Sequence, residues 1–168
     1  MTLVSRGSRS CAFVLTLALI LVGVSAAPAR ADITAFLGVS PTPHNHAVKG
    51  FAAGVGLLIV GFEFEYANLS EDSFERLPGL KTYSGNVLAQ TPIEVLGTQF
   101  YATAGAGGYR ETLGLAEETH VGTNIGGGAK IKLLGPIRVR VDYRIFRLQG
   151  SPINTTYQRF YVGANLKF

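Results

Sequence analysis

Residues 137–148 have the sequence IRVRVDYRIFRL, in which apolar and charged side chains alternate almost without exception. Successive side chains of a β-strand point to opposite faces of its sheet, so this alternation predicts a strand with one apolar and one strongly charged face. The apolar face carries Ile137, Val139, Val141, Tyr143 and Ile145, and the charged face carries Arg138, Arg140, Asp142 and Arg144.

The same period of two recurs between Asp32 and the end of the chain. In residues 62–66, aromatic side chains alternate with Glu63 and Glu65. In the last segment, one face is apolar and the other carries Arg159. Breaks that contain proline or glycine separate most of these runs. Together the runs predict eight strands, at about Asp32–Ser40, Lys49–Leu58, Val60–Leu69, Leu80–Gln90, Thr98–Thr112, His120–Leu133, Ile137–Leu148 and Thr155–Phe168.

The number and length of the strands predict a membrane-spanning barrel. Strands of about ten residues cross a bilayer at the usual barrel tilt. Charged residues make up only 15% of the chain, and 21 of its 168 residues are glycine, which is unlike an ordinary soluble domain. We therefore predict an all-β fold, an eight-stranded antiparallel up-and-down transmembrane β-barrel. Two details stay open: the turn between Leu58 and Gly61, which lacks an Asn-Gly pair, and the facing of Leu80–Gln90.

Residues 1–31 have the features of a cleaved signal peptide. Arg6 and Arg9 precede Ala12–Val24, a run of 13 residues without a charge, and Ala29-Arg30-Ala31 matches the small-x-small cleavage pattern. As a helix this run would cover about 20 Å, which is too short to span the hydrocarbon core. We expect export through a signal that is then removed.

Cleavage before Asp32 changes the charge balance. It would remove three of the 15 basic residues and none of the 11 acidic ones, so the net charge would fall from +4 to +1. The basic character therefore belongs to the signal, and we expect no nucleic-acid partner. Residues 32–168 form the predicted barrel domain.

Alternation alone fits both a soluble barrel with an apolar interior and a membrane barrel with an apolar exterior. The polar face is rich in glycine and in charges of both signs, which suits a narrow lumen. The chain also stops on an aromatic residue inside the alternating pattern. Aromatic residues gather near the predicted strand ends, as an interfacial girdle requires; they are Phe62, Phe64, Tyr66, Phe100, Phe146, Phe160 and Phe168. We therefore place the polar face in the lumen and keep a soluble periplasmic ligand-binding barrel as an alternative.

The signal peptide, the eight amphipathic strands and the terminal aromatic strand together resemble the small outer-membrane β-barrel family, the OmpA/OmpX-type, porin-like barrels. The resemblance covers the whole of residues 32–168 and concerns an architecture, not an activity. It implies an outer-membrane location. It also implies that the barrel-assembly machinery recognises the last strand, an assembly signal carried here by Phe160, Val162, Ala164, Leu166 and Phe168.

Charged residues on the predicted lumen face form the candidate functional site. They are Glu63, Glu65, Arg138, Arg140, Asp142, Arg144 and Arg159. Unpaired charge is costly where little water is present, so we expect these residues to pair. The third and seventh strands lie opposite each other in a ring of eight, so arginines of one strand should meet glutamates of the other bidentately. Such a network can be a static plug, which we favour, or the gate of a narrow pore.

Two histidines and two glycine-rich stretches suggest other sites, but neither pattern is complete. His44 and His46 could approach one metal ion, yet no third ligand lies nearby in sequence. The stretches at residues 105–108 and 126–130 depart from phosphate-binding loops and open no helix. We expect no metal ion and no cofactor.

A few residues are of the types that an outer-membrane enzyme would need. His120, Thr123 and Asn124, with carboxylates at Glu117 and Glu118, are the residue types of a lipid-modifying barrel enzyme. The spacing does not support one, because Thr123 points away from His120 and the carboxylates are placed just before the strand. We therefore predict no catalytic residues.

These features predict a monomeric outer-membrane barrel with a structural role in envelope integrity, and at most a narrow or gated pore. Its expected partners are outer-membrane lipids and, during biogenesis, the barrel-assembly machinery. The alternatives are an outer-membrane lipid-modifying enzyme and a soluble periplasmic ligand-binding barrel.

Overall fold

A computed structural model describes residues 30–42, 45–70, 79–113, 116–150, 152 and 154–168. Most of the predicted signal peptide and His44 lie outside these residues. The division into a cleaved signal and a barrel domain therefore stays a prediction. In the described part of the chain, no helix has the length and apolar character needed to cross a membrane.

The described residues form one closed antiparallel sheet in which each strand pairs with its neighbours in sequence. Pairing of the last strand with the first closes the ring, with Ala35 opposite Ala164. The predicted all-β, eight-stranded antiparallel up-and-down barrel is confirmed. Its strands are β1 (Arg30–Thr42), β2 (His46–Leu57), β3 (Val60–Leu69), β4 (Gly79–Gln90), β5 (Thr98–Leu113), β6 (Ala116–Leu134), β7 (Ile137–Leu148) and β8 (Thr156–Lys167).

The two ends of the barrel differ in their connections. The first and last described residues lie at one end of the barrel, together with the connections at residues 58–59, 91–97 and 135–136. We call it the turn end. The opposite end carries the β1–β2, β3–β4, β5–β6 and β7–β8 connections, and we call it the loop end.

The turn between β2 and β3 is tighter than its sequence suggests. Leu58 and Ile59 reverse the chain, and Leu58 adopts a φ of 52°, a left-handed conformation that apolar side chains seldom take. The Gln90 backbone N–H donates to the Ile59 carbonyl at 2.7 Å, which ties this turn to the end of β4. Tertiary hydrogen bonding thus replaces the glycine that such a turn usually contains.

The predicted start of β6 at His120 is wrong. The strand begins at Ala116, and β5 and β6 remain paired as far as Leu113 opposite Ala116. Glu117 and Glu118 therefore belong to the strand. Since the ladder simply continues, this hairpin needs no long loop at the loop end.

The faces of the wall are divided as the alternation predicts. In β7 the even-numbered side chains from Arg138 to Leu148 are buried in the lumen, while Ile137 and Tyr143 are exposed on the outside. In β4, Thr82, Ser84 and Asn86 face inward, which settles the facing of that strand. The lumen is charged and the exterior is apolar, which is the opposite of a soluble barrel with an apolar interior. In water, this apolar exterior would be exposed to solvent while the charges stayed buried, so the soluble barrel is excluded.

The prediction that Phe146 belongs to the aromatic girdle is wrong. Phe146 has an even number in β7 and is only 2% exposed, so it lies in the lumen and not at the membrane interface. Its ring makes an edge contact with Tyr109, 5.9 Å between centroids. The strand period, which places Phe146 with the lumen residues, is stronger evidence of its facing than its aromatic character.

Candidate functional site: the lumen charge network

The centre of the lumen is crossed by an ion pair between opposite walls. Arg140 of β7 holds Glu63 of β3 through both ends of its guanidinium: Nη2 donates to Oε1 at 3.2 Å, and Nη1 pairs with Oε2. Both side chains are almost completely buried. The strand period directs them inward, and the eight-strand circumference lets one arginine span the lumen.

Arg144 connects this pair to two further carboxylates. Its Nη2 donates to Glu63 Oε1 at 2.8 Å, and its Nε donates to Asp142 Oδ1 at 2.9 Å. Its Nη1 lies 3.3 Å from Glu65 Oε2. One guanidinium therefore touches three carboxylates, so a change at any of them reaches the others.

Arg159 of β8 pairs with Glu65 on the loop-end side of the network. Its guanidinium carbon lies 4.4 Å from the centroid of the Phe146 ring, within cation–π range. The neighbouring Tyr161 stacks on Phe36 with 4.0 Å between centroids, and its hydroxyl donates to Glu65 Oε2 at 3.3 Å. Aromatic rings thus support the arginine where carboxylates are absent.

Tyr101 also joins the network, although it carries no charge that would mark it in the sequence. Its hydroxyl donates to Asp142 and accepts a hydrogen bond from Arg140 Nε at 2.7 Å. Room for its ring comes from Gly128, where a Cβ would lie 2.8 Å from Tyr101 Cζ. The period of two in β5 predicts this position, because Phe100 faces outward and the next residue, Tyr101, must therefore face the lumen.

The network is neutral and almost completely buried. The guanidinium groups of Arg140, Arg144 and Arg159 balance the carboxylates of Glu63, Glu65 and Asp142, and each of these side chains belongs to a residue at most 5% exposed. These are the six predicted lumen residues that the structure brings together; we call them the central network. Opposite charges in contact offset part of the cost of removing each from water.

An apolar cap covers the central network on the loop-end side. Buried side chains from strands around the barrel meet there, at positions close to the loop end; they include Val48, Leu69, Leu80, Tyr109, Leu148 and Tyr157. A passage along the barrel axis would have to cross this cap as well as the ion pairs. The described lumen therefore contains an apolar layer next to the central network.

Arg138, the seventh predicted lumen residue, does not join the central network. It lies at the turn end, where its Nη2 donates to Glu94 Oε1 at 2.6 Å and its Nη1 donates to Gln99 Oε1 at 3.0 Å. Lys167 Nζ donates to the same Glu94 oxygen at 3.3 Å. The sequence places Arg138 on the lumen face, but its position near the start of β7 puts it at the mouth, beside a cavity of about 410 Å³.

The pKa of the Glu94 carboxyl lies below its ordinary value. Partial burial would raise this pKa, but the positive charge of Arg138 and the hydrogen bond from Lys167 outweigh that effect. The carboxylate is therefore held ionised at the mouth. It lies in the connection between β4 and β5, where the sequence pattern indicates only a break between strands.

Comparison with solved structures places this geometry among bacterial outer-membrane proteins. The N-terminal β-barrel domain of Pseudomonas aeruginosa OprF superposes with a TM-score of 0.64 at 15% identity, covering 83% of this chain and 97% of that one. Neisserial surface protein A (NspA) gives a TM-score of 0.64 at 15% identity, covering 83% and 96%. The chain has the fold of the small outer-membrane β-barrels. At these identities the likeness shows the fold alone.

Sequence comparison adds nothing to this assignment: no family model and no curated protein matches the chain. The outer-membrane barrel fold also includes an enzyme. The outer membrane enzyme PagL superposes with a TM-score of 0.51 at 12% identity, covering 80% of this chain and 98% of that one. The fold therefore does not decide between a catalytic and a structural barrel.

The residues weighed as an enzyme site are only partly brought together. His120 Nε2 lies 3.6 Å from Glu111 Oε2 and 3.4 Å from Glu118 Oε2, so a histidine–carboxylate pair is present near the loop end. Thr123 points outward, and Asn124 is buried in the lumen, where its Nδ2 donates to Asn86. In the described ranges, no serine or threonine hydroxyl is hydrogen-bonded to His120.

No metal centre is formed by the described residues. Within them, no group of three or more histidine, cysteine, aspartate or glutamate side chains could hold a metal ion. His46 uses its ring in another way, since its Nδ1 donates to the Ser70 carbonyl at 2.9 Å. This bond fastens the start of β2 to the end of β3.

Proposed function

We propose that this protein is a closed structural barrel of the outer membrane whose lumen is sealed by the central network together with the apolar cap. The observation that supports this proposal is the balance of charge among six buried side chains. Three guanidinium groups and three carboxylates, contributed by β3, β7 and β8, neutralise one another. The outer-membrane barrels that share its fold support the location. The role that follows is maintenance of the envelope.

The pairing favours a static plug over a gate. A gate needs a second arrangement of similar free energy, into which the charges can rearrange. Arg144 contacts three carboxylates at once and Arg140 contacts two, so moving either one breaks several ion pairs together. A buried charge that is left without its partner costs about 3–5 kcal/mol. The aromatic support of Arg159 further limits rearrangement.

Solute flux into liposomes tests the proposal. Liposomes that contain the refolded wild-type barrel should exclude small solutes as well as protein-free liposomes do. A variant that combines Glu63→Gln and Glu65→Gln should be less stable and still exclude solutes, because the apolar cap remains. The matched control is Glu94→Gln, which makes the same chemical change at the mouth.

Wild-type flux above that of protein-free liposomes would contradict the plug. So would a higher flux in the double variant with little loss of stability, because that result describes a gated pore. Fractionation tests the location separately: we expect the protein in detergent-extracted outer membranes, and recovery in the soluble periplasm would refute it.

We propose no catalytic role for His120. The histidine–carboxylate pair and the fold shared with PagL are the observations that favour an enzyme, and the outward position of Thr123 opposes it. Cells that express wild-type protein or His120→Ala should therefore have the same lipid composition by mass spectrometry. A lipid product that disappears with His120→Ala would establish the enzyme.

We propose further that the barrel works as a monomer and that its last strand is the assembly signal. Phe160, Val162, Ala164, Leu166 and Phe168 lie along the outward face of β8 and its end. The Phe168 backbone N–H donates to the Ala31 carbonyl at 2.8 Å, beside the seam between β1 and β8. This is the place where a barrel must close during assembly.

A further inference from the structure

A polar cavity opens at the turn end of the lumen, outside the central network. It has a volume of about 410 Å³, and Lys132, Arg138 and Lys167 are among the residues that line it. A narrower cavity of about 90 Å³ shares Arg138 and Lys167 with the first one and reaches inward to Asp32. The larger volume is sufficient for a small molecule. We call the two adjoining cavities the mouth pocket.

The entrance of the mouth pocket carries more positive than negative charge. Of the described residues that line the larger cavity, Lys132, Arg138 and Lys167 are cationic, and Glu94 is the one carboxylate among them. Arg30 lines it too, but this residue precedes the predicted cleavage site and is left out of the balance. Three cations and one carboxylate leave two positive charges in excess. Like charges gathered in one pocket repel one another, so the entrance favours an anionic ligand.

Glu94 shows how these cations hold a carboxylate. Its Oε1 accepts hydrogen bonds from Arg138 Nη2 at 2.6 Å and from Lys167 Nζ at 3.3 Å. The positive charge of Lys132 also acts on this carboxyl and helps to lower its pKa. An ammonium group has three N–H donors, and within the described part of the chain Lys167 Nζ uses one of them and Lys132 Nζ uses none. Both lysines therefore keep donors for a ligand.

The backbone fixes the position of these groups before any ligand arrives. Val95 and Thr98 exchange two backbone hydrogen bonds of 2.9 Å, so the connection that carries Glu94 is a tight hairpin. The backbone N–H of Lys132 donates to the Gly97 carbonyl at 2.8 Å, which fastens this hairpin to β6. A site whose parts are held in advance loses less entropy when a ligand binds.

We propose that the mouth pocket binds a small organic anion that carries two or more carboxylate groups. One carboxylate would accept hydrogen bonds from Lys132 and Lys167, next to Glu94, and a second would lie in the narrower cavity near Arg138. A carboxylate suits both places, because Glu94 is already held by these cations and the narrower cavity admits only a slender group.

The mouth pocket lies on the turn-end side of the central network. Binding therefore does not depend on whether the lumen is sealed. Outer-membrane barrels have their short turns on the periplasmic side. In the proposed location, the pocket would thus take its ligand from the periplasm.

Isothermal titration calorimetry of the refolded barrel in detergent micelles tests the proposal. The probe is citrate at neutral pH, and the comparison ligands are its uncharged trimethyl ester and inorganic phosphate. Loss of one hydrogen bond to a charged group weakens binding about tenfold, so we expect that effect from Lys132→Gln and from Lys167→Gln. Glu94→Gln should instead strengthen citrate binding about fivefold, because it removes a competing carboxylate at a partly exposed site.

Two variants serve as controls. Lys49→Gln removes an exposed lysine of β2 near the loop end. Because salt screens charges that are far apart, it should change the affinity by less than about twofold. Lys167→Arg keeps the charge and should bind citrate like the wild type. Heat-modifiable migration on a gel verifies that each variant is folded.

Any one of five results would overturn the proposal. Absence of citrate binding by the wild type would refute it outright. Equal binding of the ester would show that charge does not hold the ligand, and inorganic phosphate that binds as tightly as citrate would show a site for any small anion. A loss with Lys49→Gln as large as that with Lys167→Gln would show that any exposed lysine suffices. Unchanged or weaker citrate binding by Glu94→Gln would show that the ligand is not held by the cations that Glu94 occupies.

Discussion

Replacing Glu63 with glutamine should be among the most damaging single changes in the lumen. Glu63 Oε1 accepts hydrogen bonds from Arg144 at 2.8 Å and from Arg140 at 3.2 Å, while Oε2 pairs with the other Nη of Arg140. The neutral amide would leave the central network with one positive charge that nothing balances. Since Arg140 and Arg144 are 0% exposed, water cannot compensate for that charge.

The expected magnitude follows from the burial of these groups. Removing one partner of a buried ion pair costs about 3–5 kcal/mol, so the free energy of unfolding should fall by that amount. The joint change Glu63→Met with Arg140→Met removes one charge of each sign and keeps the network neutral. It should therefore cost less than Glu63→Gln alone, because apolar replacement of a whole buried pair is often close to neutral.

Reversible urea unfolding in lipid vesicles measures these free energies, with the folded fraction read from heat-modifiable gel migration. Glu94→Gln is the matched control, since the Glu94 side chain is 29% exposed and Arg138 keeps its hydrogen bond to Gln99, and it should cost clearly less than Glu63→Gln. The reasoning is refuted if Glu63→Gln costs no more than Glu94→Gln. It is also refuted if the joint methionine change costs more than Glu63→Gln.

Four further changes test other parts of the account. Deletion of Phe168 should lower the amount of folded barrel in the membrane and leave precursor cleavage unchanged; unaltered heat-modifiable protein on a gel would count against the assembly signal. Val141→Arg, on the outward face, should cost about 2–4 kcal/mol in a folding titration if it lies near the bilayer midplane, and a neutral effect would mean that the faces are assigned wrongly. Gly126→Ala should also destabilise, because the new Cβ would lie 2.7 Å from Arg144 Cγ, and full stability would show that the lumen is loosely packed. Burial would raise the pKa of Glu94, but Arg138 and Lys167 lower it. The stability that this carboxylate contributes is therefore complete above the pKa of a glutamate in the unfolded chain and is lost as the pH falls through the folded-state pKa. Glu94→Gln should flatten that part of the pH dependence of the free energy of unfolding in urea.

The strand pattern made most of the wall predictable. In β7 a period of two separates Arg140, Asp142 and Arg144 from Val141 and Tyr143, and the structure keeps that separation. Side-chain period is a local property of an extended backbone, so one sequence suffices to show it. In a ring of eight strands, β3 lies opposite β7. The number of strands therefore also predicted that Glu63 and Arg140 would meet across the lumen.

Features that depend on distant partners were not predictable in this way. The Leu58 turn is held by Gln90 of another hairpin, and no local residue announces that bond. Arg138 shares the period of the lumen arginines, but depth along the barrel axis, which the period does not encode, separates it from them. For Phe146 the two sequence signals disagree: its aromatic character indicates the membrane interface, whereas its position in the strand period indicates the lumen, where it lies beside Arg159.

Single-channel recording of the wild-type barrel in planar bilayers tests the central claim most directly. A lumen sealed by the central network and covered by the apolar cap should give a baseline current without resolved openings at either polarity. Discrete, ion-selective openings of the wild-type protein would contradict the account, because they would show that the network of Arg140, Arg144 and Arg159 opens without any change to its carboxylates.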